Sequence, residues 1–241
     1  MQRWRVLTTW DREAGWNMAL DEALLAGLDP RPTLRFYTWK QPTLSLGYFQ
    51  RVAEVPALAR APVAVRRLTG GGAIHHANEL TFSIATTVDD PLYRGPVRTS
   101  YERVHGRIAE TLARFGVHAA ERGERLLDSD RPDTGMCFEH STDIDLAWDG
   151  RKGVGSAQRR TGGRVLHHGS IKLDRSELDT QVAGIRAHAP GVDASTLAAA
   201  LVEGFAADFD AFEPGEVTAA EAERANERSA HFTGDAFLRR R

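Results

Sequence analysis

The segment between residues 144 and 173 restricts the fold more than any other part of this chain. Apolar residues alternate with polar or small ones from residue 144 to 148, and the alternation ends at Asp149-Gly150, a dipeptide that favours a two-residue hairpin turn. The chain resumes as a strand, turns again at Thr161-Gly162-Gly163 and continues to Leu173. Because each tight turn reverses the chain, this segment predicts a three-stranded antiparallel meander.

The rest of the chain mixes strands and helices. Upstream, β-branched and aromatic residues predict strands over residues 4–9, 34–37, 43–48, 63–67 and 80–87. Apolar residues at helical spacing, or an alanine-rich charged composition, predict helices over residues 15–28, 97–115, 195–209 and 219–230. Helices alternate with strands early, whereas hairpins join the later strands, so we expect an α+β fold of mixed, mainly antiparallel sheets flanked by helices. We expect residues 1–175 to form the core and residues 176–241 to form a helical C-terminal extension packed on it.

Composition excludes several classes of protein. The 241 residues, 41% of them hydrophobic, are enough for one large domain, and the formal charge of −2 provides no basic field for nucleic acid. No apolar stretch approaches the roughly 20 residues that a membrane helix needs, and no signal-peptide segment precedes the first predicted strand. We therefore expect a cytoplasmic protein that binds neither nucleic acid nor membrane.

A glycine triplet follows one of the predicted strands, in the sequence Thr69-Gly70-Gly71-Gly72. Consecutive glycines let backbone N–H groups approach an anion or an acyl carbonyl closely. The triplet has neither the lysine of a P-loop nor the spacing of a dinucleotide fingerprint, and taken alone it is more typical of a flexible turn.

Lys152 begins the second strand of the meander, and it is one of only three lysines among 31 basic residues. Gly153 and Gly155 are two residues apart, so a strand would present both on one face and leave a bare backbone strip beside which a ligand chain could lie. Lys152 would then point into the resulting tunnel. The same spacing also fits a lysine at the end of a hairpin in solvent.

Cys137 is the only cysteine, so the chain forms no intramolecular disulfide. A thiol on a loop can act as a nucleophile when a neighbouring cation stabilises the thiolate, although an isolated cysteine is more often a small buried hydrophobic residue. The pairs His75-His76 and His167-His168 do not predict a metal site, because adjacent residues on a strand point to opposite faces and no second cysteine is present.

Four segments in the same order resemble the biotin/lipoate protein ligase superfamily. Residues 66–76, RRLTGGGAIHH, resemble the RRxxGGGxxxHD signature of lipoate protein ligases, and KGVGSAQ at 152–158 with HHGS at 167–170 resembles their KxxGSAxR and HHG block. NMALDEAL at 17–24 and PTLSLGYFQ at 42–50 are similar to the family's first helix and to its strand that ends in glycine and glutamine. The resemblance covers about residues 3–175 and implies the superfamily's fold.

Within the superfamily, ELTFS at 79–83 and CFE at 137–139 resemble the octanoyl-carrier-protein:protein N-octanoyltransferases of the LipM type. The resemblance implies acyl transfer through a Cys137 thioester with Lys152 as the second catalytic residue, no cofactor and no metal. Two positions depart from the pattern: Gly72 stands where those enzymes favour arginine, and His76 where the signature has aspartate. The implied substrate-binding residues are Arg67, Thr69, Gly70, Gly71, Gly72, His76, Gly153, Gly155, Ser156, Ala157, His168 and Gly169.

The resemblance also implies the partners: octanoyl-acyl-carrier protein as donor and a lipoyl domain, such as the glycine cleavage H protein, as acceptor. Lys152 would polarise the acyl carbonyl, and His76 and His168 are the candidates for taking the proton from the acceptor lysine. Two alternatives stay open. An ATP-dependent lipoate protein ligase would make Cys137 incidental and the glycine loop an adenylate cradle, and a non-catalytic lipoyl-domain binding module would retain only the fold.

Overall fold

A computed structural model describes residues 3–206 and 211–240 of the chain. The main sheet has eight strands, in the order β11 (Ala211–Pro214), β1 (Arg3–Arg12), β2 (Thr33–Trp39), β6 (Glu79–Thr87), β10 (Arg164–Lys172), β9 (Arg151–Thr161), β8 (Leu146–Trp148) and β7 (Ala120–Glu121). A second sheet has three strands, in the order β4 (Ala64–Arg66), β3 (Thr43–Leu46) and β5 (Ile74–His76). The helices are α1 (Ala14–Ala26), α2 (Val97–Ala113), α3 (Ala194–Ala206), α4 (Ala219–Thr233) and α5 (Asp235–Leu238).

The predicted meander is confirmed as β8, β9 and β10, which pair antiparallel in sequence order. Asp149 and Gly150 have φ angles of 52° and 71°, the left-handed conformation that a tight type I′ hairpin turn needs at both central positions. Strands β1, β2 and β11 pair in parallel, while the remaining pairs of the main sheet are antiparallel. The α+β class with mixed, mainly antiparallel sheets is therefore confirmed.

Helices cover both faces of the main sheet. On one face, α2 and α3 pack their apolar stripes on strand residues that include Phe36 and Phe82. On the other face, α1 and α4 pack against residues that include Tyr37 and Leu166. Neighbouring residues of β2 thus face opposite cores, as the period of two in a strand requires.

The C-terminal segment contacts the rest of the chain at several points. Strand β11 extends the edge of the main sheet beside β1, and α4 lies along α1. The buried Arg5 guanidinium donates to both carboxylate oxygens of Glu221, at 2.9 and 2.6 Å, and so ties the start of α4 to β1. The division into a core of residues 1–175 and an extension of residues 176–241 stays a prediction.

Some boundaries differ from those predicted. Strands β5, β7 and β11 are two to four residues long and are formed by pairing with distant segments, which the local sequence pattern does not report. The predicted helix over residues 195–209 begins at Ala194, and its last three residues lie outside the described part of the chain. Within residues 3–206 and 211–240, no helix combines the length and apolar character that crossing a bilayer demands.

Candidate active site

A pocket lies between the two sheets, beside the first half of α1. The strands of both sheets and two loops supply its walls, and the walls combine apolar side chains with histidine, arginine and cysteine. The lining residues are Met18, Tyr37, Trp39, Ser45, Arg67, Gly71, Ile74, His76, Thr81, Cys137, Ser156, Ala157, His168 and Gly169. Most of the predicted substrate-binding residues therefore surround one cavity.

Cys137 reaches the pocket on a short helical turn, Cys137–Glu139, that is fastened to the glycine loop. The Cys137 N–H donates to the Ala73 carbonyl at 2.7 Å, and the Ala73 N–H donates to the Gly135 carbonyl at 2.7 Å. A Cβ on Gly72 would lie 2.9 Å from the Cys137 nitrogen, so this position admits no side chain while the two loops keep this contact. The third glycine of the triplet thus lets the cysteine loop pack against the glycine loop.

Lys152 lies beside the thiol. Its ammonium donates to the Cys137 sulfur at 3.2 Å and to the Cys137 carbonyl at 3.0 Å, and it pairs with the Asp145 carboxylate at 2.8 Å. Burial alone would lower the pKa of Lys152, but Asp145 and the Cys137 sulfur raise it above its ordinary value. Lys152 is therefore a permanent cation, placed to stabilise negative charge on the sulfur or on an oxygen bound next to it.

Arg67 holds the glycine loop through hydrogen bonds to its backbone. Its buried guanidinium donates to the carbonyls of Gly70 and Gly72, each at 2.7 Å, and to the Ser45 carbonyl at 3.0 Å. Burial lowers the pKa of Arg67 to about 10, so the group is still a cation at neutral pH. Within the described residues, no protein group accepts from the N–H groups of Gly71 and Gly72. Of the two glycines Gly71 lines the pocket, so its amide is the candidate donor to an acyl oxygen.

The predicted bare strip along Gly153 and Gly155 is wrong. A Cβ on Gly153 would lie 1.9 Å from the Trp148 indole, and Gly153 does not line the pocket. A Cβ on Gly155 would lie 2.7 Å from Lys152 Cε and 3.6 Å from the Cys137 sulfur. The two glycines make room for neighbouring side chains of the protein rather than for a ligand, and Gly155 lets Lys152 reach Cys137.

Gly155→Ala is accordingly expected to slow acylation of the thiol roughly 10- to 100-fold, because the new methyl group displaces the Lys152 ammonium. The rate is measured by mass spectrometry of the intact protein after mixing with an acyl donor. The matched control is Gly106→Ala. Gly106 lies on helix α2, and a Cβ built there has no neighbouring atom of another element within 4 Å. Equal acylation rates in both variants would contradict this role of Gly155.

Two carboxylate–imidazole–hydroxyl chains contribute to the pocket wall. His168 Nδ1 lies 3.3 Å from Asp21, and His168 Nε2 is hydrogen-bonded to the Thr69 hydroxyl. His76 Nδ1 lies 2.6 Å from Glu79, and His76 Nε2 lies 2.7 Å from the Ser45 hydroxyl. The histidines that precede these two in the sequence have different partners. His75 contacts Ser176, and His167 contacts Tyr93 and Ser156.

A buried charge cluster supports this wall and the cysteine loop. Lys172 pairs with Glu79 at 2.8 Å and with Asp179 at 3.0 Å, and its ammonium lies 4.6 Å from the centre of the Phe138 ring. The Lys152 ammonium lies 5.3 Å from the centre of the same ring. Two of the three lysines therefore flank the residue that follows Cys137.

The cluster makes stability depend on pH. Burial alone would raise the pKa of Glu79, but Lys172 and His76 hold it well below its ordinary value of 4.5. A carboxyl with a lowered folded-state pKa stabilises the fold above its unfolded pKa, and this contribution is lost as pH falls through the folded value. We therefore expect the free energy of unfolding to decrease below about pH 4.5 in urea titrations, and less steeply in Glu79→Gln. Stability that is constant or increases on acidification would contradict this.

Sequence reasoning missed several residues that complete the site. Asp21, which pairs with His168, carries no local signal because its partner is distant in the sequence. Asp145 is close to Lys152 in the sequence, but the two side chains meet only across the β8–β9 hairpin, whose pairing register shifts at Leu146. The scarcity of lysine does single out Lys172, but not its partners. Within the described residues, no group of three or more His, Cys, Asp or Glu side chains is placed to hold a metal ion.

Comparison with known proteins agrees with the geometry. Residues 13–201 match the sequence profile of the lipoyl protein ligase A/B catalytic domain. The chain is 36% identical to "Octanoyltransferase LipM" of Kyrpidia tusciae over 98% of each protein, and 42% identical to "Octanoyltransferase LipM" of Moorella thermoacetica over 71% of this chain and 66% of that protein.

Among solved structures, lipoate-protein ligase A bound with ATP has a TM-score of 0.76 and 22% identity, over 99% of this chain and 98% of that one. A chain from the structural analysis of a bipartite lipoate protein ligase and its E2 lipoyl domain from Thermoplasma acidophilum also has a TM-score of 0.76, with 21% identity over 99% and 97% of the two chains. These similarities show a shared fold. Together with the profile match and the identity to curated relatives, they show that the chain belongs to the lipoyl protein ligase A/B catalytic domain family of the biotin/lipoate protein ligase superfamily.

Proposed function

We propose that this protein transfers an octanoyl group from acyl-carrier protein to a lysine of a lipoyl domain, through a thioester on Cys137. The observation that carries the proposal is the 3.2 Å contact between the Lys152 ammonium and the Cys137 sulfur at the pocket wall. Relatives 36–42% identical to this chain are named octanoyltransferases, which supports the same reaction here. The cytoplasm is the expected location of this reaction.

In the first half of the reaction, the Cys137 thiolate attacks the carbonyl carbon of the donor thioester. The negative charge that develops on the carbonyl oxygen is stabilised by Lys152 and by the amide of Gly71 at the pocket wall. The bond from the acyl carbon to the carrier sulfur then breaks, the octanoyl group stays on Cys137, and the carrier leaves as a thiolate that takes up a proton.

The apolar part of the pocket is the proposed site of the octanoyl chain. Met18, Trp39 and Ile74 line the cavity together with the reactive thiol. Apolar walls with a few placed polar groups are typical of sites that hold a hydrocarbon chain and orient one reactive end. In the second half of the reaction, the lysine amine of a lipoyl domain, such as that of the glycine cleavage H protein, bonds to the acyl carbon and the carbon–sulfur bond breaks. The octanoyl group is then an amide on that lysine, and Cys137 is released and takes up the proton that the nitrogen loses.

The test is the donor requirement. Octanoyl-acyl-carrier protein without nucleotide is expected to acylate a lipoyl domain, whereas free octanoate with ATP is expected to give no product. Product formed only from octanoate and ATP would favour the ATP-dependent ligase, whose fold this chain shares. Tight binding of the lipoyl domain without turnover from either donor would instead indicate a binding module.

A further inference from the structure

Arg66, the first residue of the RRLTGGG segment, is buried and does not line the pocket. It joins the C-terminal helix to the loop before the glycine triplet, because one Nη donates to the Gly47 carbonyl and the other to the Leu238 carbonyl, each at 2.6 Å. Tyr48 follows Gly47 in the sequence, and Leu238 ends α5. This connection brings Arg240 over the Tyr48 ring, with 4.2 Å between the guanidinium carbon and the ring centre.

A second arginine reaches the same ring from strand β9. The guanidinium carbon of Arg159 lies 4.8 Å from the centre of the Tyr48 ring, and its Nη1 donates to the Leu68 carbonyl at 3.1 Å. The Tyr48 N–H donates to the Thr69 carbonyl at 2.8 Å, so the tyrosine is fastened to the loop that carries the glycine triplet. We call Tyr48, Arg159 and Arg240 the arginine rim, because they lie together at the edge of this loop.

The arginine rim carries positive charge without a neighbouring acid. Within residues 3–206 and 211–240, neither of its guanidiniums pairs with a carboxylate. The Arg240 and Arg159 guanidiniums next to its hydroxyl hold the pKa of Tyr48 below its ordinary value. Arg240 is exposed and so is Phe49, which follows Tyr48, so a ligand can reach the rim from outside. Two cations at one ring repel each other, and an anion bound between them would relieve this repulsion.

Strand β9 relates the arginine rim to the reactive thiol. Gly155, Ala157 and Arg159 face the same side of the sheet, because β9 pairs with β10 in an unbroken register over these residues. The Cys137 sulfur lies over Gly155, 3.6 Å from the place of a Cβ there, and Ala157 lines the pocket. At about 3.3 Å per residue, Arg159 stands about 13 Å from Gly155 along the strand. The rim therefore fits a ligand that places a carbonyl at the thiol and a negative charge this far away.

The donor of the proposed reaction has this shape, and the inference rests on the proposed function because that function supplies the donor. An acyl-carrier protein holds its acyl group on a pantetheine arm that ends in a phosphodiester. About 13 bonds separate the thioester sulfur from the phosphorus, and an extended chain covers about 1.2 Å per bond, so the arm spans about 15 Å. The acceptor has the opposite charge, since a lysine with a pKa of about 10.4 is an ammonium ion at neutral pH. The charge of the rim therefore favours the donor over the acceptor.

We propose that Arg159 and Arg240 bind the phosphodiester of the carrier's pantetheine arm and so place the thioester at Cys137. A guanidinium can donate two parallel N–H groups to phosphate oxygens, and stacking on Tyr48 keeps both guanidiniums at the rim. Arg66 holds Arg240 there by tying the end of α5 to the loop before Tyr48. The rim acts while the octanoyl-enzyme forms and has no part in its discharge.

The test uses two small donors that differ only in the phosphate, S-octanoyl-4′-phosphopantetheine and S-octanoylpantetheine. Acylation of Cys137 is followed by intact mass in single turnovers. The wild type is expected to use the phosphorylated donor about 10-fold more efficiently or better, and the double variant Arg159→Gln/Arg240→Gln should use both donors equally. With octanoyl-acyl-carrier protein, the double variant should show a KM raised about 10-fold and an unchanged maximal rate. Arg3→Gln is the control for loss of a charge, since Arg3 is exposed and lies on β1, four strands away from β9.

The ratio of the two donors separates phosphate binding from structural damage, because damage slows acylation from both donors alike. An equal preference for phosphate in the wild type and the double variant would overturn the proposal, and so would an unchanged KM for octanoyl-acyl-carrier protein. Slower discharge of the octanoyl-enzyme by a lipoyl domain, with acylation unchanged, would also overturn it, since the arginine rim would then bind the acceptor. Failure of the proposed function itself would be seen earlier, as no octanoyl adduct on the wild-type protein from any of the three donors.

Discussion

Cys137→Ala is expected to lower acyl transfer to a lipoyl domain by at least about 1000-fold, because the nucleophile that carries the octanoyl group is then missing. The rate is measured with octanoyl-acyl-carrier protein as donor and mass spectrometry of the lipoyl domain as readout. The fold is expected to persist, since the cysteine loop is fastened to Ala73 by backbone hydrogen bonds that do not involve the sulfur. An unchanged melting temperature distinguishes loss of chemistry from loss of structure.

A second variant, Cys137→Ser, tests whether residue 137 forms the acyl intermediate. A serine hydroxyl is far less acidic than a thiol and forms a less reactive ester, so a slow octanoyl ester is expected to accumulate and to resist discharge. A Cys137→Ala variant with wild-type turnover would rule out the thioester, and the ATP-dependent ligase would then be the better explanation of the fold.

Lys152→Arg is expected to slow acylation of Cys137 by roughly 100- to 1000-fold, the range found when one charge-stabilising donor is removed. The ammonium fits between Asp145, the Cys137 sulfur and the backbone of Gly155, and a guanidinium is broader and planar. The matched control is Lys40→Arg, because the Lys40 side chain is 62% exposed and pairs with Glu13 at the surface.

The measurement is the rate at which the octanoyl adduct appears on the intact protein in a single turnover. Retention of the wild-type rate in Lys152→Arg would mean that any cation suffices and that the point charge of the ammonium has no special role. A loss of rate in Lys40→Arg equal to that in Lys152→Arg would point to a general effect of replacing lysine.

Some elements of this structure could be predicted from the local sequence, and others could not. The meander was predictable because Asp149-Gly150 determines its own turn, and the glycine triplet because it stands in a recognisable run of residues. Strand β5 and the pair Asp21–His168 were not, since each depends on a partner far away in the sequence. The pair Asp145–Lys152 was not predictable either, because it depends on the register of the β8–β9 hairpin. Such contacts exist only after the sheets have assembled.

The prediction for Gly153 and Gly155 failed for a related physical reason. Period-two spacing correctly suggests that a strand face lacks side chains there, but it cannot say what fills the space. Trp148 occupies it at Gly153 and Lys152 at Gly155. Gly155 therefore does not form an acyl tunnel. Its missing side chain lets the Lys152 ammonium reach the Cys137 thiol.

The central claim is that Cys137 carries the acyl group. The most direct test is to incubate the wild-type protein with octanoyl-acyl-carrier protein, without nucleotide, and to measure its intact mass before and after adding a lipoyl domain. One octanoyl group is expected on the protein, located on the peptide that contains Cys137 and lost when the lipoyl domain gains it. Acylation of the lipoyl domain with no adduct ever detected on Cys137 would contradict the claim.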